Sequence, residues 1–330
     1  MANTEMPDVR PALSIVIVTW NAKTVALECV DSLSKLQSSI PSEVIVVDNA
    51  STDGTPQAIE ARFPQVQLIR NQSNLGFAKA NNIGIAASKG KYLCLLNSDV
   101  VVPAGCFETM LAYMEQHPDI GVLGPKMISP DGGVGQSVAK FPTVWNSLCC
   151  ALAFHRVFRQ SEALGGYMME GFPYDRIEDV EVLTGWFWMV PRGALEQVGG
   201  LDERFFMYGE DIDWCYRFHN AGWRVVFFPE AKALHYGAAS SAQAPTRFYV
   251  EMQRANQQYF RKHHGRLGEL GYVAARSIHE VVRLLAYGAV YFTNSSRRSR
   301  AALMVTRSLT CLGCLTGITS TGAQPLKRLR

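Results

Sequence analysis

Four short apolar runs decide the fold, and each ends at polar or turn-forming residues: LSIVIVT at 13–19, EVIVV at 43–47, VQLI at 66–69 and YLCLL at 92–96. Their aliphatic and β-branched residues are typical of strands buried on both faces of a parallel sheet. Helical spacing of apolar residues fills the intervening segments at 24–36, 56–63 and 76–88. This alternation predicts βαβ units, and therefore an α/β fold with a mostly parallel sheet flanked by helices.

The pattern changes in the second half of the chain. Residues 129–180 show no clear period, and a segment of that length is usually a lid or an acceptor-binding region. An aromatic, strand-like run follows at 181–190, then a helix that ends near Asn220 and a strand at 223–228. We therefore predict one domain over 1–245, with halves at about 11–125 and 126–245, and a helical extension over 246–330.

Charge is distributed unevenly between these parts. Residues 261–330 contain 12 Lys or Arg and 2 Asp or Glu, a net charge of 12 − 2 = +10, whereas the whole chain carries only +3. The remainder is therefore acidic, with a net charge of 3 − 10 = −7. A basic tail with apolar runs favours an anionic membrane surface over nucleic acid as its partner.

Two apolar stretches of this tail, 281–292 and 301–318, are interrupted by Arg283 and Arg307. Neither provides the long uncharged run of a membrane-spanning helix. They fit either an interfacial helix or a helical pair packed on the main domain. Residues 1–11 are polar and predict no signal peptide. We expect a cytoplasmic protein, located peripherally on the cytoplasmic face of the membrane if the tail binds lipid.

Polar clusters follow three of the predicted strands: Thr19-Trp20-Asn21, Asp48-Asn49 and Asn97-Ser98-Asp99. Ligands of open parallel sheets collect at this carboxyl edge. Neither a GxGxxG turn nor a P-loop is present, so side chains rather than a glycine cradle would bind the ligand. Trp20 could stack on a nucleobase, and Asp48 could accept a hydrogen bond from it. Taken alone, Asp48 is equally typical of a turn cap.

Asp99 suggests a metal site at the same edge. A carboxylate there can bind Mg²⁺ or Mn²⁺ and so neutralise a departing diphosphate. His235, after the strand at 223–228, could complete the site and would favour Mn²⁺. A single histidine in that position is otherwise a structural residue.

Three carboxylates, Glu210, Asp211 and Asp213, lie within four residues at a predicted helix start. Acidic residues favour helix N-termini, which is the simplest explanation. Three of them exceed what capping requires, and their mutual repulsion raises a pKa toward that of a general base. One of them could deprotonate a sugar hydroxyl.

These residues belong to ordered motifs that resemble family-2 inverting glycosyltransferases of the Rossmann-like GT-A fold, in particular bacterial rhamnosyltransferases that use dTDP-rhamnose. The resemblance covers about 13–241. Its segments are SIVIVTWN (14–21), VIVVDNASTDGT (44–55), NLGFAKANNIGIAASKGKYLCLLNSDVV (74–101), LGPKMISPDG (123–132) and VGGLDERFFMYGEDIDWCYR (198–217).

The resemblance implies a role for each matching position. The nucleotide-sugar site would comprise Thr19, Trp20, Asn21, Asp48, Lys79, Asn97, Ser98 and Asp99. Asp99 would be the metal-binding acid of the DxD motif, although Asn97 replaces the first aspartate of that motif. His235 would complete the metal site and Asp211 would be the catalytic base. The acceptor would contact Trp186, Glu210 and Asp213.

The sequence therefore predicts an enzyme that transfers L-rhamnose from dTDP-rhamnose to a hydroxyl of a cell-envelope glycan or a lipid-linked acceptor. A divalent metal, Mg²⁺ or Mn²⁺, would be its cofactor. One alternative is a UDP-sugar transferase of the same fold, using galactofuranose, a hexose or an N-acetylhexosamine. Two rivals come from different functional classes: a nucleotide-sugar-binding protein without turnover, and a peripheral membrane scaffold.

Overall fold

The computed structural model describes residues 10–34, 40–158, 161, 163–164, 169, 171–237 and 244–317. In this part of the chain the strands are β1 (Leu13–Thr19), β2 (Ser42–Asp48), β3 (Gln67–Arg70), β4 (Tyr92–Asn97), β5 (Val100–Val101), β6 (Ile120–Ile128), β7 (Val138–Ala139), β8 (Glu178–Asp179), β9 (Val182–Leu183), β10 (Phe187–Pro191) and β11 (Arg224–His235). The helices are α1 (Lys23–Ser34), α2 (Thr55–Arg62), α3 (Phe77–Ala87), α4 (Cys106–Gln116), α5 (Val144–Ala151), α6 (Phe154–Val157), α7 (Arg192–Val198), α8 (Glu210–Asn220), α9 (Pro245–Thr293) and α10 (Arg298–Leu315).

A mixed sheet forms the centre of the molecule, with the strand order β3-β2-β1-β4-β10-β6-β11-β5. The first four strands of this order run parallel to one another, and they are the four apolar runs of the sequence. β10 is antiparallel to β4 and β6, whereas β6 and β11 are parallel. The predicted α/β fold with a mostly parallel sheet and a C-terminal helical region is confirmed.

Burial on both faces explains why β1 is apolar throughout. Ile15 and Ile17 pack into a cluster with residues of α1 and α4. Val16 points to the opposite face, where α3 and α8 cover the sheet. α3 lies so close to β1 that a Cβ atom on Gly84 would come within 2.2 Å of Val16 Cγ1. This tight packing helps position the loop before α3 at the carboxyl edge of the sheet.

Two predicted segments differ from the structure. The strand predicted over 181–190 is divided by residues 184–186: β9 pairs with β7 in a separate two-stranded sheet, whereas β10 belongs to the central sheet. The segment 129–180 is more regular than its pattern indicated: it contains α5, which begins with a capping box formed by Thr143 and Asn146. In these two segments the apolar periodicity is weak, and contacts with the rest of the protein determine the secondary structure.

The C-terminal helices form an antiparallel unit. α9 turns back on itself at Gly265, whose φ of 67° is readily adopted by glycine. We call residues 245–264 the first arm and residues 266–293 the second arm. Across the two arms, Tyr249 Oη donates to Glu280 and Tyr272 Oη donates to Gln253. α10 packs against the second arm, so the unit has three helical layers.

The first arm joins this unit to the rest of the protein. Phe205 of the sheet domain shares a buried cluster with several residues of the helical unit: Val250, Ala255, Tyr259, Phe260, Tyr272, Cys311 and Leu315. Among the described helices, none has an apolar stretch long enough to cross a membrane. The helical unit packs on the main domain through this cluster, and an interfacial position of its outer surface is compatible with that packing.

Candidate active site

The ends of three parallel strands meet at one edge of the sheet. Thr19 at the end of β1 lies directly opposite Asp48 at the end of β2, and Val18 lies opposite Asn97 of β4. Both Thr19 and Asp48 are almost completely buried. Thr19 Oγ1 and Asp48 Oδ1 have no hydrogen-bond partner among the described residues. Buried polar atoms normally find partners, so these two oxygens indicate a ligand site.

The loops around this edge are held by asparagines. Asn21, in the left-handed region with a φ of 48°, accepts a hydrogen bond from the Thr52 amide through its Oδ1 at 2.7 Å. Asn49 donates to Asn74 Oδ1 and to the carbonyl of Gly76 just before α3. The side chain of Asn21 therefore braces a loop as well as lying at the predicted site. Asn49 is a positioning residue whose role motif spacing alone does not reveal.

The other residues predicted to bind the nucleotide sugar lie near this edge, each in a different environment. Trp20 is half-buried, and Ser98 is buried. Lys79, on the first turn of α3, is half-exposed and lies 3.6 Å from Glu203 Oε2. Asn97 is held through its backbone, since its amide donates to the Trp186 carbonyl at 2.9 Å. Their roles in donor binding stay predictions.

Asp99 and His235 come together from positions 136 residues apart. His235 Nε2 lies 3.1 Å from Asp99 Oδ1, and both side chains are largely buried. Pairing of β5 with β11 places Val100 opposite His235, which explains the approach. No group of three or more His, Cys, Asp or Glu side chains converges in the described chain. A carboxylate and an imidazole are suitable ligands for Mn²⁺ or Mg²⁺, provided that a bound ligand or water completes the shell.

Trp186 has a different environment from the one predicted. Its indole is only 3% exposed and stacks on the His235 imidazole, with ring centroids 5.4 Å apart and planes 20° apart. Little of the ring is exposed in this arrangement, and its contact with an acceptor sugar stays a prediction. What the structure shows is that Trp186 stacks on His235 and so fixes the orientation of the imidazole.

The segment 184–186, which interrupts the predicted strand, connects two parts of the site. On one side, Trp186 contacts His235 as described. On the other side, Gly185 lies against Asp211, because a Cβ atom on this glycine would come within 3.5 Å of Asp211 Cβ. The same position for a Cβ would be 2.9 Å from the ring of Trp188. Asp211 therefore lies against one part of this short segment, and His235 lies against another.

Glu210 and Asp211 are carboxylates whose proton affinity is increased. Burial raises the pKa of Asp211, an effect opposed by backbone hydrogen bonds such as the one from the Ile212 amide. Burial, together with the charge of Asp211, raises the pKa of Glu210 well above its usual value. Glu210 Oε2 is buried with no hydrogen-bond partner among the described residues. This pair can hold a proton between them at the start of α8.

Asp213 is turned away from this pair. It is fully buried and accepts hydrogen bonds from Lys262 and His263 of the first arm, at 2.5 and 2.7 Å, and from Arg217 at 2.9 Å. These partners lower its pKa despite burial. The contact between Asp213 and an acceptor stays a prediction, and in this structure the carboxylate faces the first arm. Asp213 anchors α9 to the sheet domain.

Comparisons with known proteins agree with this geometry. The model of glycosyl transferase family 2 matches residues 14–198. An N-acetylglucosaminyl-diphospho-decaprenol L-rhamnosyltransferase of Mycobacterium tuberculosis is 34% identical, over 73% of this chain and 80% of that protein. An uncharacterised glycosyltransferase of Haemophilus influenzae is 36% identical over 34% of this chain and 37% of its own length.

A solved structure shares the fold at lower sequence similarity. The mannosyltransferase PcManGT of Pyrobaculum calidifontis, in complex with GDP-Man and Mn²⁺, aligns with a TM-score of 0.50 and 18% identity, over 92% of this chain and 87% of that one. This similarity supports the GT-A architecture. Given the match of the family model to more than half of the chain, together with the strand-end site, the chain belongs to glycosyl transferase family 2 and is a glycosyltransferase.

Proposed function

We propose that the protein transfers L-rhamnose from dTDP-rhamnose, with inversion, to a hydroxyl of a lipid-linked precursor of a cell-envelope glycan. The observation that carries this proposal is the segment 184–186. It brings the acidic Asp211 against Gly185 and the metal pair, Asp99 and His235, against Trp186. An inverting transfer needs a base on the acceptor side and charge stabilisation on the leaving-group side.

The donor nucleotide would bind at the ends of β1 and β2. Asp48 Oδ1 is a buried acceptor that lacks a protein partner among the described residues, and a thymine or uracil N3–H would supply the missing donor. Thr19 Oγ1 offers a second polar contact next to it. Trp20 follows β1 and Lys79 lies on the first turn of α3, and their proposed roles are stacking on the base and contact with a phosphate. The site therefore fits a pyrimidine nucleotide.

Asp99 and His235 would hold a divalent cation that neutralises the diphosphate as it leaves. Asn97 replaces a carboxylate here, so the protein contributes fewer negative charges, and donor diphosphate oxygens would supply more of the coordination. Trp186 keeps the imidazole in place by stacking on it. The proposed work of these residues is to position the leaving group before the bond to the sugar breaks.

Asp211 would remove the proton from the attacking acceptor hydroxyl. Its raised pKa makes it a stronger base than an ordinary aspartate. Glu210, with its pKa raised further, would stay protonated beside it and reduce repulsion toward the charge on Asp211. The oxygen of the acceptor then attacks the anomeric carbon from the face opposite the diphosphate, which inverts the configuration.

The acceptor proposal rests on the mycobacterial relative, whose name specifies a lipid-linked N-acetylglucosaminyl diphosphate as the acceptor. This chain covers most of the length of that protein. A lipid-linked acceptor also agrees with the basic C-terminal region of the chain. We propose the cytoplasmic face of a membrane as the place of the reaction, because nucleotide sugars are soluble substrates and the acceptor is a lipid.

A donor panel tests the proposal directly. Purified protein is mixed with Mn²⁺ or Mg²⁺ and with dTDP, UDP or GDP, and the melting temperature is measured. We expect the largest stabilisation from dTDP with metal, and loss of that stabilisation with a chelator. Transfer from dTDP-rhamnose and from UDP-sugars to a short-chain N-acetylglucosaminyl diphospholipid is then followed by mass spectrometry. Preferential turnover of a UDP-sugar would contradict the proposal that dTDP-rhamnose is the donor.

A further inference from the structure

The second arm of α9 has an unusual distribution of side chains. Exposed apolar side chains recur every three or four residues along its outer face: Leu267, Leu270, Ala274, Ile278, Val281, Val282, Leu285, Ala286, Ala289 and Phe292. The other exposed residues of this arm, Arg266, Tyr291 and Thr293, lie near its two ends. We call the apolar set the outer stripe. Leu267, Leu285 and Phe292 are 84%, 71% and 80% exposed. Side chains three and four residues apart lie on one face of a helix, so the stripe is continuous for about 38 Å.

Most charged residues of the second arm face the protein instead, whereas Arg266 is exposed at its start. Glu280 is completely buried and pairs with Arg276 at 2.7 Å. Arg283 lies over the ring of Tyr249 on the first arm and donates to its hydroxyl at 2.6 Å. Glu269 accepts from Arg261 of the first arm. The helix is therefore amphipathic with its polar face inward, the reverse of a helix that packs on a water-soluble protein.

Neighbouring elements add to the apolar surface. α5 lies beside the second arm, since a Cβ atom on Gly271 would come within 2.8 Å of Val144. Exposed apolar side chains on α5, α6 and the residues after them are Val144, Trp145, Leu152, Phe154, Val157 and Phe158. An apolar surface of this extent marks an interaction site on a soluble protein.

The charge around the outer stripe indicates its partner. Residues 281–317 contain five arginines and no acidic residue. Three of these arginines, Arg297, Arg298 and Arg300, are exposed at the turn between α9 and α10, next to Phe292. Arg298 also lies over the ring of Tyr291, 5.5 Å from its centroid. Anionic lipid headgroups would neutralise these charges, whereas the outer stripe of a second copy contains no acidic residue that could pair with them.

We propose that the outer stripe lies in the plane of an anionic membrane, with its leucines and Phe292 among the acyl chains and the arginines of the turn at the lipid phosphates. The described helices do not span a bilayer, which fits an interfacial position. This inference deepens the proposed function by giving the enzyme a way to reach a lipid-linked acceptor, and it rests on that function only for the identity of the acceptor.

Vesicle sedimentation with the full-length protein tests the surface. The probes are vesicles of phosphatidylglycerol mixed with phosphatidylcholine, and vesicles of phosphatidylcholine alone. We expect wild type to bind the anionic vesicles, and the variant Leu267→Glu/Leu285→Glu/Phe292→Glu to bind at least about tenfold more weakly. Val134→Glu, at an exposed apolar position on the sheet domain, is the matched control and should bind like wild type.

A second variant separates charge from apolar contact. Arg297→Gln/Arg298→Gln/Arg300→Gln should reduce binding to anionic vesicles by about tenfold or more and abolish most of its dependence on salt. Binding to phosphatidylcholine alone should change little. Failure of wild type to sediment with anionic vesicles would overturn the proposal. The proposal would also be overturned if wild type were a dimer in analytical ultracentrifugation and the triple glutamate variant a monomer, because a second copy would then cover the stripe.

Activity measurements distinguish failure of this inference from failure of the proposed function. The triple glutamate variant should keep its stabilisation by dTDP and its transfer to a short-chain, water-soluble acceptor. It should lose at least about tenfold in transfer to a long-chain acceptor embedded in vesicles. Equal activity of wild type and variant on the embedded acceptor would reject the membrane role of the stripe, whatever the donor proves to be.

Discussion

Asp211 and Asp213 lie two residues apart on the first turn of α8, yet the structure gives them opposite properties. The pKa of Asp211 is raised by burial, whereas the pKa of Asp213 is lowered by Lys262, His263 and Arg217. Burial alone would raise both pKa values, so the difference comes from the charged groups that contact Asp213. One side of the helix faces Gly185 and the site, and the other side faces the first arm of α9.

Two acids in one motif therefore have different surroundings, and we propose that one serves catalysis and the other serves assembly. Burial increases the proton affinity of Asp211, as its proposed role as a base requires, while the lowered pKa of Asp213 favours the ionised form that ties the C-terminal unit to the sheet domain. Exchanging their surroundings would exchange their roles. Changes to each residue should therefore affect different measurable quantities.

Asp211→Asn should have the largest effect. Removing the base should lower kcat by about a thousandfold, the range typical of general-base loss. Binding of the donor nucleotide, measured by calorimetry, should be unchanged, because the donor contacts lie at the ends of β1, β2 and β4. A variant that retains the wild-type rate would remove Asp211 from the mechanism.

Asp213→Asn should act on stability instead. Loss of this carboxylate leaves Lys262 and Arg217 without their buried partner and should cost about 2 kcal/mol in the free energy of unfolding. Chemical denaturation measures this cost, and kcat at a temperature where the variant is folded should be close to wild type. Asp179→Asn is the control, since its ion pair with Arg224 is exposed and should be worth less than about 0.5 kcal/mol.

The pH dependence of stability should also follow Asp213. Its pKa is below the ordinary 3.8 in the folded state, so the unfolded chain binds more protons in this range. The stabilisation from its ionised form is therefore present above about pH 4 and is lost as pH falls through the folded pKa. Acid unfolding curves of wild type should be steeper there than those of Asp213→Asn. Parallel curves would mean that Asp213 does not titrate with unfolding.

The acid limb of activity should follow Asp211. Because the base must be ionised and its pKa is raised, kcat/KM should begin to fall at a higher pH than an ordinary aspartate with a pKa of 3.8 would allow. The pH profile of wild type measures this limb directly. A limb at or below the ordinary value would contradict the increase in pKa that burial gives Asp211.

Glu210→Gln should have the smallest effect. Glu210 is expected to be protonated at neutral pH, and glutamine reproduces its size and neutrality. We expect kcat within about threefold of wild type. Since the folded wild type holds a proton that the unfolded chain releases above its ordinary pKa of 4.5, its stability should fall with rising pH relative to Glu210→Gln. Matching stability curves for the two proteins would contradict the raised pKa.

Much of the fold could be predicted because its strands are buried on both faces. A continuous run such as LSIVIVT has few stable alternatives to a central strand, and alternating helices then require parallel crossovers. Local patterns failed where tertiary contacts dominate. β9 and β10 are separate strands because the intervening residues 184–186 belong to neither of them. The periodicity of this aromatic segment does not indicate that break.

The candidate site was predicted in part for the same reason. The carboxyl ends of parallel strands share one edge, so Thr19, Asp48 and Asn97 had to lie together. The surroundings of Trp186 and Asp213 could not be predicted, because they depend on β11 and on the first arm of α9. Aromatic and acidic residues occur both in binding sites and in buried networks, and only their contacts distinguish the two.

By itself, the sequence determined the order of strands and helices, the edge where polar residues collect, and the family motifs. Only the tertiary structure decided which acid faces the site, because Asp211 and Asp213 differ in their neighbours and not in their chemistry. The second arm of α9 follows the same rule. Its sequence shows a helix with an apolar face, but helical periodicity does not say whether that face points to the core or to the surroundings. Packing against the first arm and α10 places the charges inside and the outer stripe on the surface.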